Sequence, residues 1–266
     1  PTPTPSTEQP KKGGVLKVGQ VADLNLNTGF PAVLLPQNRY FGYSGMESLV
    51  RYRDSLLPEN VLAERFEYNA DRSKLTVTLK PKVTFHNGAK VTPEDVFFGI
   101  DLMLDPKKYG VTGSFQLVTF AKFITDKKRV DERTMEFTFD KPRVNMTDFF
   151  AQLSVTHAAS YEDLKVGKSV QGTGAYMFKS WTPNQGFRLE PNPNWHLTAK
   201  EGGPYLDAIE GKIFADQDAM GLAFESGDIE LVMGINGTIA KRFRDKKQTR
   251  LAPKVGLAYV GCVVTN

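Results

Sequence analysis

The stretch of sequence that decides the fold covers residues 75–106 and reads LTVTLKPKVTFHNGAKVTPEDVFFGIDLMLDP. Its first residues alternate between apolar and polar side chains, which is typical of a hairpin strand with one buried face. Its second half predicts a helix, because Thr92 is a favourable N-cap, Pro93 fits the first helical position and Glu94 places negative charge at the positive end of the helix dipole. A patterned strand thus leads closely into a capped helix.

The elements on either side extend this pattern. Strands and helices alternate toward the end of the chain, which indicates a mixed α/β layer. The other predicted strands lie at 15–18, 49–52, 135–139, 176–181, 187–190, 209–214 and 229–232, and the last of these is predicted to be buried. The other predicted helices lie at 38–47, 146–153 and 216–225.

Composition narrows the class of protein. The chain has 266 residues, of which 40% are hydrophobic and 24% are charged, so a well-formed globular core is expected. The single cysteine, Cys262, excludes an internal disulfide and a multi-cysteine metal site. The net charge is +4, but no nucleic-acid-binding module accompanies it, so no nucleic acid is expected as a partner.

Several local motifs have both a chemical and a structural interpretation. His86 could suggest a metal ligand, but Asn87-Gly88 reads as a turn and one histidine makes a poor metal site. The acidic pairs at 94–95 and 216–218 stand at predicted helix starts, where capping explains them without catalysis. The segment 172–174, Gly-Thr-Gly, lacks the lysine of a phosphate-binding loop. A basic run from Lys241 to Arg250 reads as a solvated helix face. We therefore expect no catalytic residue, cofactor or metal.

Six segments, in this order, resemble the family 5 extracellular solute-binding proteins, the group that includes dipeptide-, oligopeptide- and nickel-binding proteins. Each segment alone is a weak signal, but six in the order of the family make a specific one. They are LPENVLAE (57–64), the stretch 75–106, GTGAY (172–176), EPNPNW (190–195), GPYLDAI (203–209) and FESGDIELV (224–232).

The resemblance implies an α/β fold like the type II periplasmic binding proteins, in which a ligand closes between two lobes. It predicts a first lobe with a mixed sheet at 13–52 and 170–266, and an inserted α+β subdomain at 53–169. Residues 1–12, rich in Pro and Thr, are expected to form a disordered tether. Family chains continue to about twice this length, so the second lobe is expected to be missing and the chain to bind solute weakly or not at all by itself.

The resemblance also indicates which residues face the ligand cleft. By position, the loop after the first strand, the segment 40–43 and the loop after residue 232 match the cleft-facing loops of the family. The predicted ligand-binding residues are Asn25, Asn27, Phe30, Tyr40, Met233 and Asn236.

The function that follows is the capture of peptides outside the cytoplasm for an ABC permease in the membrane. We expect a monomer, periplasmic or on the cell surface, with a lipid anchor on a cysteine just upstream of Pro1. One alternative is an oligosaccharide or another non-peptide solute. A hydrolase or a sensor on the same scaffold is the alternative from another class.

Overall fold

The computed structural model describes residues 10–24, 39–53, 57–110, 115–232 and 235–244. The strands in these ranges are β1 (Val15–Gln20), β2 (Val50–Tyr52), β3 (Pro58–Asn60), β4 (Ala63–Tyr68), β5 (Lys74–Leu79), β6 (Ile124–Arg129), β7 (Thr134–Phe139), β8 (Tyr176–Thr182), β9 (Gly186–Pro191), β10 (Ala208–Ile213) and β11 (Leu231–Val232). The helices are α1 (Arg39–Gly45), α2 (Pro93–Leu104), α3 (Phe115–Ala121), α4 (Met146–Gln152), α5 (Tyr161–Lys165), α6 (Thr198–Glu201), α7 (Gln217–Ser226) and α8 (Gly237–Arg244).

The strands form two large sheets and one small one. The five-stranded sheet has the order β11-β1-β10-β9-β8, with β1 parallel to both β10 and β11 and the remaining pairs antiparallel. The four-stranded sheet, β4-β5-β7-β6, is antiparallel throughout, and β2 pairs with β3. The predicted mixed sheet is therefore confirmed. The four-stranded sheet lies wholly within the predicted insert, whose boundaries stay a prediction.

One face of the four-stranded sheet is buried. The apolar residues of β5 and β7 are at most 4% exposed, whereas the threonines between them face outward. Phe97 of α2 meets Phe137 of β7 edge to face, with 5.9 Å between ring centroids. Phe150 of α4 stands 4.9 Å from the same Phe137 ring. Each fully buried side chain of this size stabilises the folded state by roughly 1.5–3 kcal/mol relative to an exposed one. The apolar positions of the alternating pattern therefore form the core of this layer.

The predicted helix starts are confirmed at α2 and α7. The Thr92 backbone N–H and hydroxyl both donate to Asp95 Oδ2, at 2.9 and 2.8 Å, which closes the first turn of α2. Asp216 Oδ1 accepts from the Ala219 N–H at 2.7 Å and caps α7. Gly227 ends α7 with a φ of +81°, a left-handed conformation that favours glycine.

The prediction of a buried strand at 229–232 is wrong in part. Only Leu231 and Val232 are in β11, and the side chain of Leu231 is 38% exposed. Among the described residues β11 pairs with β1 alone, so it is an edge strand. Periodicity missed the short helices α5 and α6, because a single turn is too short to show a repeat. Within the described ranges, no helix has the length and apolar character needed to cross a membrane.

Candidate functional site at the carboxyl edge

The three parallel strands end together at one edge of the five-stranded sheet. Gln20, the last residue of β1, lies opposite Ile213, the last of β10, and β11 ends beside them at Val232. We call this border, with the connections that follow these three residues, the carboxyl edge. Ligands of open α/β sheets bind outside the carboxyl ends of the strands, where the connecting loops supply polar groups. The carboxyl edge is therefore the candidate binding site.

Along the chain, three of the sequence-predicted ligand residues follow β1 and two follow β11, and Tyr40 lies in α1. Asn25, Asn27, Phe30 and Met233 lie outside the described residues. Tyr40 is in α1, and its side chain is also outside the described part of the chain. A ligand-binding role for these five residues stays a prediction.

Asn236 is described and is exposed at the start of α8. Its side-chain oxygen accepts from the Ile239 N–H at 2.9 Å, so it caps this helix. Its own N–H donates to Gln217 Oε1, at 3.0 Å, in the first turn of α7. The N-termini of α7 and α8 are thereby linked at the carboxyl edge. Capping uses the Asn236 oxygen, which leaves its amide nitrogen for the predicted contact with ligand.

Asp23 fixes the path of the chain as it leaves β1. Its carboxylate accepts from the Trp181 Nε1–H at 2.9 Å, the Asn184 backbone N–H at 2.6 Å and the Leu24 N–H at 2.7 Å. Hydrogen bonds to an ionised acceptor are about twice as strong as neutral ones. Asp23 therefore joins the start of the predicted cleft loop to the β8–β9 hairpin. Sequence reasoning missed this role, because the Trp181 and Asn184 donors lie 158 and 161 residues away along the chain.

Gln20 is a buried polar residue at the same edge, with 6% of its surface exposed. Its amide nitrogen donates to the Ala22 carbonyl at 2.7 Å. Its side-chain oxygen is buried and has no hydrogen-bond partner in the part of the chain that the structure describes. An unpaired buried acceptor costs about 1–3 kcal/mol. The end of β1 therefore holds an acceptor with free hydrogen-bonding capacity.

Glu47 is the centre of a buried cluster that the sequence did not reveal. Its Oε1 accepts from the Trp195 Nε1–H at 3.0 Å, and its Oε2 accepts from the Thr173 hydroxyl and His196 Nε2, both at 2.8 Å. The Glu47 carbonyl also accepts from the Val155 N–H at 2.8 Å. The side chains of Glu47 and His196 are 10% and 8% exposed. We call Glu47, Thr173, Trp195 and His196 the Glu47 cluster; it secures the chain between α1 and β2.

The Gly172-Thr173-Gly174 segment packs directly on the end of α1. The Gly174 N–H donates to the Gly45 carbonyl at 3.0 Å. A Cβ atom on Gly172 would lie 2.0 Å from the Gly45 carbonyl oxygen, and one on Gly174 would lie 2.5 Å from the Ser44 oxygen. Only glycine allows the two backbones to approach so closely. This segment therefore serves close packing against α1.

His86 joins the hairpin of residues 84–90 to the same glycines. Its Nε2 lies 3.1 Å from the Gly174 carbonyl, and its Nδ1 accepts from the Gly172 N–H at 3.3 Å. One nitrogen therefore donates while the other accepts, which identifies the neutral ring. Burial also lowers the pKa of His86 below its usual value. Both ring nitrogens are occupied, so the structure gives His86 a packing role.

The other chemistry-bearing groups are likewise engaged in structural contacts. His157 Nδ1 lies 2.7 Å from the Ser160 hydroxyl, and its ring packs 5.0 Å from that of Phe85. Asp95 Oδ1 accepts from the Ala158 N–H at 2.9 Å, in addition to its capping bonds. Over the described ranges, no group of three or more His, Cys, Asp or Glu side chains is placed to hold a metal ion.

The sequence of this chain is similar to those of known binding proteins. The sequence matches the bacterial extracellular solute-binding proteins, family 5 (middle), over residues 58–264. It is 24% identical to the oligopeptide-binding protein AppA of Bacillus subtilis over 96% of this chain and 47% of AppA. It is 26% identical to the di/tripeptide-binding protein 4 of Pseudomonas aeruginosa, over 64% of this chain and 35% of that protein.

A solved structure has the same fold. The periplasmic binding protein DppA of Helicobacter pylori, in complex with the peptide STSA, superposes with a TM-score of 0.73 at 22% identity, over 88% of this chain and 49% of DppA. The chain therefore spans about half or less of the length of these relatives.

The mixed sheet, its carboxyl edge and the accompanying antiparallel sheet define the class of fold, which is that of the type II periplasmic binding proteins. The family match then makes the assignment specific, because it covers most of the chain. The protein belongs to family 5 of the bacterial extracellular solute-binding proteins. Proteins of this family bind solutes and are not enzymes, and they act outside the cytoplasm.

Proposed function

We propose that this protein captures peptides outside the cytoplasm and delivers them to an ABC permease. The carrying observation is the carboxyl edge, where three parallel strands end and where the buried side-chain oxygen of Gln20 has no hydrogen-bond partner among the described residues. Peptides present a regular series of N–H donors and C=O acceptors. The polar groups at the carboxyl edge can form hydrogen bonds with them. The names of AppA and the di/tripeptide-binding protein, and the peptide bound to DppA, support this class of ligand. We propose no catalytic step.

The direct test is isothermal titration calorimetry on the protein as the gene encodes it. The ligands are di- to pentapeptides, with an oligosaccharide series and metal chelates as the competing classes. We expect peptides to bind and to raise the melting temperature of the protein, and the other classes of ligand to do neither. Binding confined to an oligosaccharide or a chelate would replace the peptide proposal with that solute. Peptide turnover in the same mixtures would indicate a hydrolase.

Replacing Asp23 with alanine is expected to weaken peptide binding about tenfold, because the chain leaving β1 loses its attachment to the β8–β9 hairpin. The Trp181 indole also loses its acceptor, so its fluorescence is expected to shift to longer wavelength. Calorimetry and emission spectra measure the two effects. Asp228→Ala is the control, since Asp228 is an exposed aspartate shortly before β11, whereas Asp23 is half-buried. Equal affinities for the Asp23 variant and the native protein would contradict this role.

We also propose that the protein is a monomer held at the membrane by a lipidated cysteine upstream of Pro1. The support is the composition of residues 1–10, PTPTPSTEQP, which suits an extended tether between an anchor and a folded body. Light scattering tests the monomer. Mass spectrometry of the N-terminal peptide from native membranes tests the anchor, and an unmodified N-terminus would refute it.

A further inference from the structure

The net positive charge of this protein is concentrated in one short segment. Residues 237–250 contain six basic residues and one acidic residue, a net charge of +5, whereas the whole chain carries +4. The remainder of the chain therefore carries a net charge of −1. Such separation of charge indicates a surface with a specific electrostatic role rather than a generally basic protein.

The described part of this segment is α8, which has two distinct faces. Ile239 and Phe243 are 2% exposed. Phe243 meets Phe224 of α7 edge to face at 5.1 Å between ring centroids, and a Cβ on Gly221 would lie 3.3 Å from Ile239 Cδ1. The apolar face of α8 is thus covered by α7. The opposite face presents the exposed residues Lys241, Arg242 and Arg244, which we call the α8 basic face.

The charges on the α8 basic face are mostly uncompensated. Arg242 pairs with Glu225 of α7, but Lys241 and Arg244 form no ion pair with any residue in the described ranges. Most of the other described arginines pair with carboxylates, and Arg72 instead lies over the Tyr68 ring. The paired arginines are Arg51, Arg53, Arg65, Arg129, Arg133, Arg143 and Arg188. Lysines without an ion pair among the described residues, such as Lys90 and Lys128, also occur elsewhere, so what distinguishes the α8 basic face is its place in the segment that carries the net charge.

We propose that the α8 basic face binds the anionic phospholipid surface of the membrane. The large apolar side chains of α8 are buried, so the face lacks the aromatic or aliphatic anchors that dominate protein–protein interfaces. Its apolar side is covered by α7, so α8 does not insert into lipid as an amphipathic surface helix does. What remains is a set of exposed cations on one side of α8, which suits a diffuse layer of lipid phosphates. Peptide capture is not needed for this contact.

The test is vesicle co-sedimentation of the 266-residue chain. The vesicles are phosphatidylcholine containing about a third phosphatidylglycerol, compared with phosphatidylcholine alone. Binding to the anionic vesicles only, weakened as salt rises and screens the charges, is expected. The double variant Lys241→Glu/Arg244→Glu is expected to bind at least about tenfold more weakly, because each basic residue near an anionic surface contributes appreciably to binding.

The control is Lys90→Glu/Lys128→Glu, which makes the same change in net charge at exposed positions in the predicted insert. It is expected to bind vesicles within about twofold of the native chain. An equal loss in both variants would reduce the effect to net charge and overturn the proposal. Equal binding to neutral and anionic vesicles would also overturn it, as would an α8 variant that binds like the native chain. Circular dichroism melting of both variants checks that each is folded, and peptide calorimetry reports separately on the proposed function.

Discussion

Replacing Glu47 with alanine is expected to lower the free energy of unfolding by about 3–5 kcal/mol, among the largest single-residue effects in this protein. The carboxylate is 10% exposed and accepts from Thr173, Trp195 and His196. Removing one partner of a buried charged group typically costs this much, because the remaining donors lose their acceptor without reaching water. Urea unfolding followed by fluorescence measures the change, and loss of the bond to Trp195 should alter its emission in the folded state.

Two further variants sharpen this prediction. Glu47→Gln keeps the shape but replaces one acceptor oxygen with an NH2 group that faces donors, so we expect an intermediate loss of stability. Glu67→Ala is the matched control: its side chain is 62% exposed and its recorded ion pair, with Arg65, is at the surface. Exposed pairs of this kind contribute about 0–1 kcal/mol. A Glu47→Ala protein as stable as the Glu67→Ala protein would show that the Glu47 cluster does not stabilise the fold.

Replacing Gly172 with alanine is expected to cost about 3 kcal/mol. The added Cβ would lie 2.0 Å from the Gly45 carbonyl oxygen and 2.8 Å from Met46 Sδ. The first of these is a backbone atom at the end of α1, so relief requires the two segments to separate. That separation would also disturb the contacts of His86 with Gly172 and Gly174. Thermal unfolding by circular dichroism measures the loss.

Gly42→Ala is the matched control for this variant. Gly42 lies inside α1, the helix against which Gly172 packs. An added Cβ on Gly42 would have no described atom within 4 Å apart from the backbone of its own helix. Alanine is favoured over glycine inside a helix by up to about 1 kcal/mol, so this variant should be as stable as the native protein or slightly more so. If both glycine variants were equally destabilised, the cause would be α1 itself and not the contact at Gly172.

The elements that the sequence predicted well carry their signals locally. The alternation in β5 and the capped starts of α2 and α7 each involve residues a few positions apart. The strand at 229–232 was predicted too long and too buried, because an apolar run has the same appearance in an edge strand as in a central one. Of the predicted cleft residues, Asn236 is also a helix cap, and that second role depends on where α8 begins.

The sequence by itself determined the alternating strands, the capped helices and the family, because each depends on short-range spacing or on the order of motifs. Only the tertiary structure decided which distant segments the buried polar groups connect. Asp23 and Glu47 gain their donors from segments more than a hundred residues away, and a hydrogen bond across that distance leaves no periodic trace in the chain. The same holds for the α8 basic face: the sequence contains the charges, but α7 decides which side of the helix is left exposed.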